Sequence, residues 1–136
     1  MTTIREYCAP NFQEILDLYA SVGWTNYTQK PAMLESAYAN SLLILGAYQG
    51  EKLVGIVRAV GDGASVVLVQ DLLVRPEYQR KGVGTRLLRE LLNRFSDVYQ
   101  VQLLTDDTAK NNAFYRSLGF SEAGETGCRA FLRMKI

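Results

Sequence analysis

The sequence has 136 residues, the length of one domain, and its 48% hydrophobic and 21% charged residues exclude a globally disordered chain. Fifteen Lys and Arg residues against 14 Asp and Glu residues leave a net charge of +1. Charge therefore gives no reason to expect nucleic acid or an anionic membrane as the main partner. The chain contains no histidine, which excludes His-based triads, His general bases and His-ligated metal sites.

The two cysteines, Cys8 and Cys128, have neither the spacing of metal ligands nor the density of a disulfide framework. No metal site is predicted, and the two thiols are expected to be small hydrophobic groups rather than nucleophiles. No apolar run approaches the length of a membrane span, and the N-terminus has no apolar signal-peptide core. We therefore expect a cytoplasmic protein without membrane contact.

The first half of the chain predicts two helices set among strands. Asn11 with Glu14 three residues later is a variant of the capping box that begins a helix, and Gly23 ends that helix. Pro31 suits the first position of a second helix, which runs to about Ala39. The predicted strands of this half are Thr2–Cys8, Ser41–Gln49, Leu53–Val60 and Ser65–Val74.

The second half predicts an amphipathic helix from Gly84, a strand over Tyr99–Thr105 and a helix over Thr108–Leu118. Two last strands are predicted over Phe120–Ala123 and Cys128–Met134. We interpret residues 1–136 as a single α/β (α+β) domain in which helices pack on a mixed sheet.

The most informative local feature is the loop before the third predicted helix, Gln79-Arg80-Lys81-Gly82-Val83-Gly84-Thr85. A helix start leaves backbone N–H groups unpaired and carries partial positive charge. Gly82 and Gly84 let a phosphate approach these amides closely, and Arg80 and Lys81 add positive charge beside them. The loop therefore predicts a phosphate or pyrophosphate site.

Two common nucleotide motifs do not fit this loop. A Walker A loop needs Lys before its Ser or Thr, but Thr85 directly follows Gly84. A dinucleotide fingerprint needs a third small residue, where this chain has Leu87. The remaining alternative is a solvated loop whose glycines only permit a turn.

Two segments carry a family pattern: residues 74–84, Val-Arg-Pro-Glu-Tyr-Gln-Arg-Lys-Gly-Val-Gly, and residues 114–120, Phe-Tyr-Arg-Ser-Leu-Gly-Phe. They resemble motif A and the Phe-Tyr-x-x-x-Gly-Phe signature of the GCN5-related N-acetyltransferase (GNAT) superfamily. The chain looks most like the small serotonin or arylalkylamine N-acetyltransferase-like branch. The resemblance implies a mixed, mostly antiparallel sheet of six to seven strands, about four helices and a splay between β4 and β5.

The resemblance also implies acetyl-CoA as cosubstrate, bound in the splay. Its pantetheine arm would pair with backbone groups of Leu72 and Val74, and its pyrophosphate would bind the amides of the Gln79–Thr85 loop, Val83 included. A backbone N–H near Leu72 or Leu73 would hold the oxyanion. Many members have Asn-x-x-Ala ahead of Phe-Tyr. The matching positions here, Thr108 and Asn111, are assigned to the cofactor site, while Thr108 can also be a helix N-cap.

The implied chemistry is direct attack of an amine on the thioester. Tyr115 matches the general acid that protonates the leaving thiolate. Asp71 is the candidate base because it interrupts an apolar strand beside the expected thioester site, with Asp62 and Glu35 as weaker candidates. A water chain could replace it, and Asp71 could instead accept a backbone or Tyr hydrogen bond in a structural role. Arg58 is expected only to reach solvent.

The expected function is transfer of an acetyl group to a small-molecule primary amine. Aromatic residues of the N-terminal part could favour an aromatic or apolar amine, although such residues are more often core; they are Trp24, Tyr27, Tyr38 and Tyr48. The alternatives are a CoA- or acyl-CoA-binding regulator without turnover and an acetyltransferase of protein N-termini or lysines. A homodimer is possible, and no nucleic acid partner is expected.

Overall fold

The sheet of this computed structural model, which describes residues 1–8 and 11–135, has five strands in the order β1-β2-β3-β4-β5. The strands are β1 Thr2–Glu6, β2 Leu43–Gln49, β3 Lys52–Gly61, β4 Val66–Val74 and β5 Gln100–Leu103. The helices are α1 Phe12–Ser21, α2 Thr25–Thr28, α3 Pro31–Ala39, α4 Val83–Arg94 and α5 Ala109–Ser117. Three pairings are antiparallel and β4 pairs with β5 in parallel, which confirms the mixed, mostly antiparallel class.

The predicted strands after α5 are wrong. Among the described residues, the sheet contains five strands rather than six or seven, and a short 3-10 turn over Ala123–Thr126 follows α5. Glu122 and Glu125 cap this turn reciprocally, and Gly127 ends it with φ +85°. The apolar residues beyond it stay exposed, Phe131 by 88%. The caps explain why a turn replaces the end of the predicted Phe120–Ala123 strand, and the residues around Phe131 have strand propensity but no strand pairing in the described structure.

Parallel pairing between β4 and β5 stops well before β4 ends. It joins Val66–Val69 to Gln100–Leu103, whereas β4 continues to Val74. On its other edge β4 stays paired with β3 up to Val74, which lies opposite Gly55. Residues 70–74 therefore have one edge paired with β3 and one edge that is not paired with β5, which ends at Leu103; we call this second edge the diverged edge, after the splay predicted there.

A β-bulge lies at the point of divergence. Arg58 is opposite Asp71 but its neighbour Ala59 is opposite Val69, so Gln70 is the extra residue on β4. A bulge bends its strand and increases the local twist. The bulge thus lies directly after Val69, where the pairing of β4 with β5 ends.

The two faces of the sheet pack against different helices. On one face α1 and α3 bury a cluster that includes Ile15, Leu34, Ile56 and Leu73. A Cβ built on Gly55 would lie 3.2 Å from Leu87 of α4. Because neighbouring strand residues point to opposite faces, α4 covers the face opposite α1 and α3. The predicted amphipathic pattern of α4 is confirmed by its buried Leu87, Leu88 and Leu91.

The chain divides into two compact units, Met1–Leu104 and Thr105–Ile136. The first contains the whole sheet and α1–α4, and the second contains α5 and the 3-10 turn. The interpretation of residues 1–136 as a single domain stays a prediction. No helix in the described ranges combines the length and the apolar character that a bilayer crossing requires.

The turn between β3 and β4 is held by Asp62. Its Oδ1 accepts the backbone N–H groups of Ala64 and Ser65, both at 2.8 Å, and that of Val66 at 3.1 Å. The Ser65 hydroxyl and these amides lower the pKa of Asp62. Asp62 was a weaker candidate base, and its observed contacts are those of a turn-forming residue.

We expect Asp62→Asn to reduce the acid sensitivity of folding. A carboxyl with a lowered folded pKa contributes stability that is present above its unfolded pKa of about 3.9 and is lost as pH falls below it. Denaturant unfolding between pH 7 and about pH 2 should show a smaller loss of the free energy of unfolding in Asp62→Asn than in the wild type. Asp97→Asn is the charge-matched control. Equal pH dependence in all three proteins would contradict this role.

Candidate functional site

The loop between β4 and α4 is tied back to the sheet at two points. Arg75 donates its backbone N–H to Val54 O at 2.8 Å and its Nε to Leu53 O at 2.9 Å. Gln79 Nε2 donates to the Val74 carbonyl at 2.9 Å. These bonds hold the end of β4 and the entry to the loop in one arrangement.

The loop ends in a helix start suited to an anion. Gly82 is the N-cap of α4, with φ +80°, and Arg80 also has a positive φ of 62°. The Arg86 N–H makes the bond back to Gly82 O at 3.0 Å, so the amides of Val83, Gly84 and Thr85 precede it. Gly82 has no side chain with which to cap them. Exposed Arg80 and Lys81 stand beside these amides, which fits the diphosphate predicted there.

The diverged edge of β4 offers its own backbone groups. The Arg75 N–H faces β3, and backbone groups of successive strand residues point to alternate edges. Over the regular register from Asp71 to Val74, the N–H groups of Leu72 and Val74 therefore face the diverged edge, while that of Leu73 faces β3. Of the two backbone groups predicted for the oxyanion, Leu72 has the suitable direction.

Asp71 lies in a buried polar network directly beside Leu72. Asp71 as a whole is 2% exposed, and its Oδ2 accepts Arg58 Nε at 2.9 Å and the Tyr19 hydroxyl at 2.7 Å. The Tyr38 and Tyr19 hydroxyls are 2.8 Å apart. Since Tyr19 gives its one hydrogen to Asp71, Tyr38 donates to Tyr19. We call Asp71, Arg58, Tyr19 and Tyr38 the buried network.

The expectation that Arg58 only reaches solvent is wrong. Arg58 is 4% exposed because it lies opposite Asp71 on β3 and its side chain turns inward to that carboxylate. Its Nη1 also donates to Ser41 Oγ at 3.2 Å, and its guanidinium lies over the Tyr38 ring, 5.4 Å from the centroid. The sequence shows Arg58 and Asp71 as two separate charged residues, but it does not show the β3–β4 register that places them opposite each other.

Burial sets the protonation of the network. It raises the pKa of Tyr19 far above its ordinary value, with further increases from Tyr38 and Asp71, so Tyr19 stays a neutral donor. It also raises the pKa of Tyr38, which the bond to Tyr19 partly opposes. Burial acts to lower the pKa of Arg58, but the attraction of Asp71, the hydrogen bond to it and the nearby Tyr19 and Tyr38 together raise the pKa. The network therefore holds a charged Arg58 and neutral tyrosines.

A pair of half-buried aromatic rings rests on the network. Helix α2, which was not predicted, begins directly after Trp24 and carries Tyr27. The rings of Trp24 and Tyr27 are 6.1 Å apart and tilted by 33°. Tyr19 meets Trp24 edge-on at 5.9 Å and Tyr27 at 5.4 Å. Tyr38 and Tyr48 are buried, which confirms for these two residues the alternative prediction that the aromatic residues belong to the core.

Tyr19 was missed as a functional candidate. Its spacing along α1 placed it on the apolar face, where a hydroxyl needs a hydrogen-bond partner. The one carboxylate in the apolar β4 strand, Asp71, was the signal that could have identified that partner.

The second unit carries the other predicted site residues. Thr108 is the N-cap of α5, as predicted, and its hydroxyl oxygen accepts Asn111 N–H at 3.1 Å. Asn111 Nδ2 donates to Asp106 O at 3.4 Å. The Tyr115 ring packs edge-on against Phe114 and Phe120, with centroids 5.0 and 5.9 Å away. Burial raises the pKa of Tyr115, partly opposed by a hydrogen bond with Thr105, so its hydroxyl stays protonated near neutral pH.

The family model of the acetyltransferase (GNAT) domain matches residues 40–122, which is more than half of the chain. The chain belongs to the GNAT acetyltransferase family. A solved GNAT family acetyltransferase of Streptococcus pneumoniae has 44% sequence identity and a TM-score of 0.89, and the match covers 99% of this chain and 98% of that one. The fold and the superfamily predicted from the two motifs are confirmed.

Curated relatives of this GNAT protein are longer. The uncharacterized N-acetyltransferase ycf52 of Gracilaria tenuistipitata is 25% identical over 81% of this chain and 62% of its own length. The histone acetyltransferase TAP1 of Glycine max is 30% identical over 85% of this chain and 55% of its own length. This chain thus spans less than two thirds of the length of each of these two relatives.

Proposed function

We propose that this GNAT protein transfers the acetyl group of acetyl-CoA to the primary amine of a small molecule in a ternary complex. One observation carries the proposal: a single loop, residues 75–82, connects the diverged edge of β4 to a glycine-capped helix start flanked by Arg80 and Lys81. Backbone donors for an amide-containing arm and for a diphosphate therefore follow one another along the chain. Acetyl-CoA contains these two groups in the same order, beyond its thioester.

The residues present fit this cosubstrate. The Leu72 carbonyl and the Val74 backbone would bind the pantetheine amides, and the amides of Val83, Gly84 and Thr85 would bind the diphosphate. The Val74 carbonyl, which accepts Gln79 Nε2 at 2.9 Å, retains a second lone pair for a pantetheine N–H. Thr108 and Asn111 remain proposed contacts of the same molecule, assigned from the family motif.

The reaction joins nitrogen to the acetyl carbon and releases CoA. The amine nitrogen attacks the thioester carbonyl, the C–S bond breaks, and the products are an N-acetyl amine and the CoA thiol. The Leu72 N–H would stabilise the negative oxygen that develops on that carbonyl. Tyr115, from its match to the family motif, would give its proton to the departing sulfur.

The attacking amine must first lose a proton. With a pKa near that of Lys, only about one molecule in 10³ is neutral at pH 7. Both donors to Asp71, Arg58 Nε and the Tyr19 hydroxyl, reach Oδ2, so neither occupies Oδ1, but Asp71 is only 2% exposed and is already held by these two hydrogen bonds. We therefore propose a water relay as the main route, with Asp71 as the alternative base.

The half-buried Trp24 and Tyr27 rings support an aromatic or cationic acceptor. Such rings attract ammonium groups and stack with aromatic ones. Acetylation of a protein amine is the second candidate, favoured by the similarity to a protein named histone acetyltransferase. The two free cysteines suit a reducing compartment, and we propose the cytoplasm as the site of the reaction.

The proposal is tested by calorimetric titration with acetyl-CoA, followed by a screen of amines for release of CoA thiol. The panel should contain aromatic monoamines, aliphatic diamines and lysine-containing peptides. We expect binding and thiol release that depends on an aromatic monoamine. Release with the peptides alone would favour the protein acceptor. Binding without release from any amine would favour a CoA-binding regulator, and absence of binding would contradict both.

We expect Gly82→Ala to weaken CoA binding by about tenfold. Gly82 has φ +80°, a conformation that costs an alanine about 1–2 kcal/mol, and relaxation of that strain would misdirect the amides of α4. Gly127→Ala is a matched control, because Gly127 has φ +85° and is also surrounded by open space. Calorimetry should show weaker binding for Gly82→Ala alone. An equal Kd in the two variants would contradict the diphosphate assignment.

A further inference from the structure

The buried network lies at the bulge where β4 leaves β5. Asp71 is the first residue of β4 after the extra residue Gln70, and Leu72, whose N–H faces the diverged edge, comes next. Three other elements converge on the Asp71 side chain: β3 through Arg58, α1 through Tyr19 and, by way of Tyr19, α3 through Tyr38. A strand that is paired on one edge only is thus fixed at this residue from several sides.

A core does not need a buried ion pair for its stability. Taking two charges out of water costs free energy, and buried ion pairs can often be replaced by apolar residues of similar volume without loss of stability. Arg58 and Asp71 are nevertheless 4% and 2% exposed, on neighbouring central strands. The ion pair differs from a Leu–Met pair because its charged hydrogen bonds are directional. They fix the angle and the register of the two groups that make them.

We propose that Asp71, Arg58, Tyr19 and Tyr38 are positioning residues that hold the Leu72 backbone N–H in place for the thioester oxygen. The inference rests on the proposed acetyl transfer and deepens it. None of the four needs to touch the reacting atoms. They act through the backbone of β4, whose displacement by a fraction of an ångström would weaken a hydrogen bond that forms fully only in the transition state.

The network also connects this backbone to the side of the proposed acceptor. Tyr19 donates to Asp71 at 2.7 Å and is in edge contact with Trp24 and Tyr27. An acceptor bound on those two rings would therefore lie next to Tyr19, which is hydrogen-bonded to Asp71, the residue before Leu72. Removal of the Tyr19 hydroxyl breaks this connection and leaves the aromatic contacts.

Two variants separate positioning from stability and from base catalysis. Tyr19→Phe removes one hydroxyl, with Tyr48→Phe as a control from the same core cluster but outside the network. The double variant Arg58→Met with Asp71→Leu removes both charges together, so that neither is left buried without its partner. For each protein we would measure the melting temperature, the Kd for CoA, KM for the amine, and kcat from pH 6 to 9.

We expect both network variants to fold and to bind CoA as the wild type does, with kcat lower by roughly tenfold for Tyr19→Phe and more for the double variant. The shape of the pH profile should not change. Wild-type kcat in the folded double variant would overturn the positioning role while leaving the proposed function intact. Loss of one limb of the pH profile would overturn it in favour of Asp71 as base. Absence of transfer by the wild-type protein would overturn the proposed function and this inference together.

Discussion

Tyr115→Phe is expected to lower kcat by about 10²–10³-fold with little change in CoA binding. The phenylalanine ring preserves the edge contacts with Phe114 and Phe120, so α5 should keep its packing. The hydroxyl proton is lost, and the CoA thiolate would then have to leave without a proton from this residue. Since burial raises the pKa of Tyr115, the wild-type hydroxyl is protonated throughout the neutral range and is available as a donor.

The control for this variant is Tyr99→Phe, which removes a hydroxyl from an exposed ring outside the proposed site. Thiol release at saturating acetyl-CoA and amine should fall for Tyr115→Phe and not for Tyr99→Phe, while calorimetry should give the same Kd for CoA in both. Wild-type kcat in Tyr115→Phe would show that another group or water protonates the leaving sulfur. A large rise in the Kd for CoA would instead assign Tyr115 to binding.

The second large effect is expected on stability, from breaking the Arg58–Asp71 pair one partner at a time. Arg58→Met leaves a buried carboxylate and Asp71→Leu leaves a buried guanidinium, and each should lower the free energy of unfolding by about 3–5 kcal/mol. The two changes together should cost far less than either alone, because no unpaired charge remains. Denaturant unfolding of the four proteins forms a double-mutant cycle that measures this coupling.

The contact that supports this expectation is short and buried. Arg58 Nε lies 2.9 Å from Asp71 Oδ2, and the side chains are 5% and 1% exposed. By contrast, the ion pair between Arg5 and Glu51 is 4.0 Å long, and the Glu51 side chain is 97% exposed. Arg5→Met should therefore change stability by less than about 1 kcal/mol. Additive losses in the Arg58 and Asp71 cycle would contradict a coupled pair.

Local patterns predicted the elements whose signals lie within them. The Asn11 cap, Pro31 and the leucine spacing of α4 gave helices that the structure confirms, and the apolar runs of β2 to β4 gave its strands. The Gly82 and Gly84 loop gave the helix start. These features depend on neighbours within a few residues, so the sequence contains most of what determines them.

What escaped prediction depends on distant partners. Arg58 and Asp71 are 13 residues apart, and their pairing needs the β3–β4 register with its bulge at Gln70. Tyr19 reaches Asp71 across 52 residues, through the packing of α1 on the sheet. The prediction of two final strands was wrong for a different reason. Local caps at Glu122 and Glu125 form a turn where the first of them was to end, and the apolar residues near Phe131 have strand propensity but stay exposed without strand pairing.

The central claim is acetyl transfer to an amine, and following the acetyl carbon tests it most directly. Wild-type protein would be incubated with acetyl-CoA labelled with ¹³C at the carbonyl and with the best amine of the panel, and the label followed by NMR. We expect the thioester carbonyl signal to be replaced by that of an amide, at a rate proportional to enzyme concentration and stoichiometric with CoA thiol. A label that stays in the thioester, or that appears as free acetate without amide, would contradict the claim.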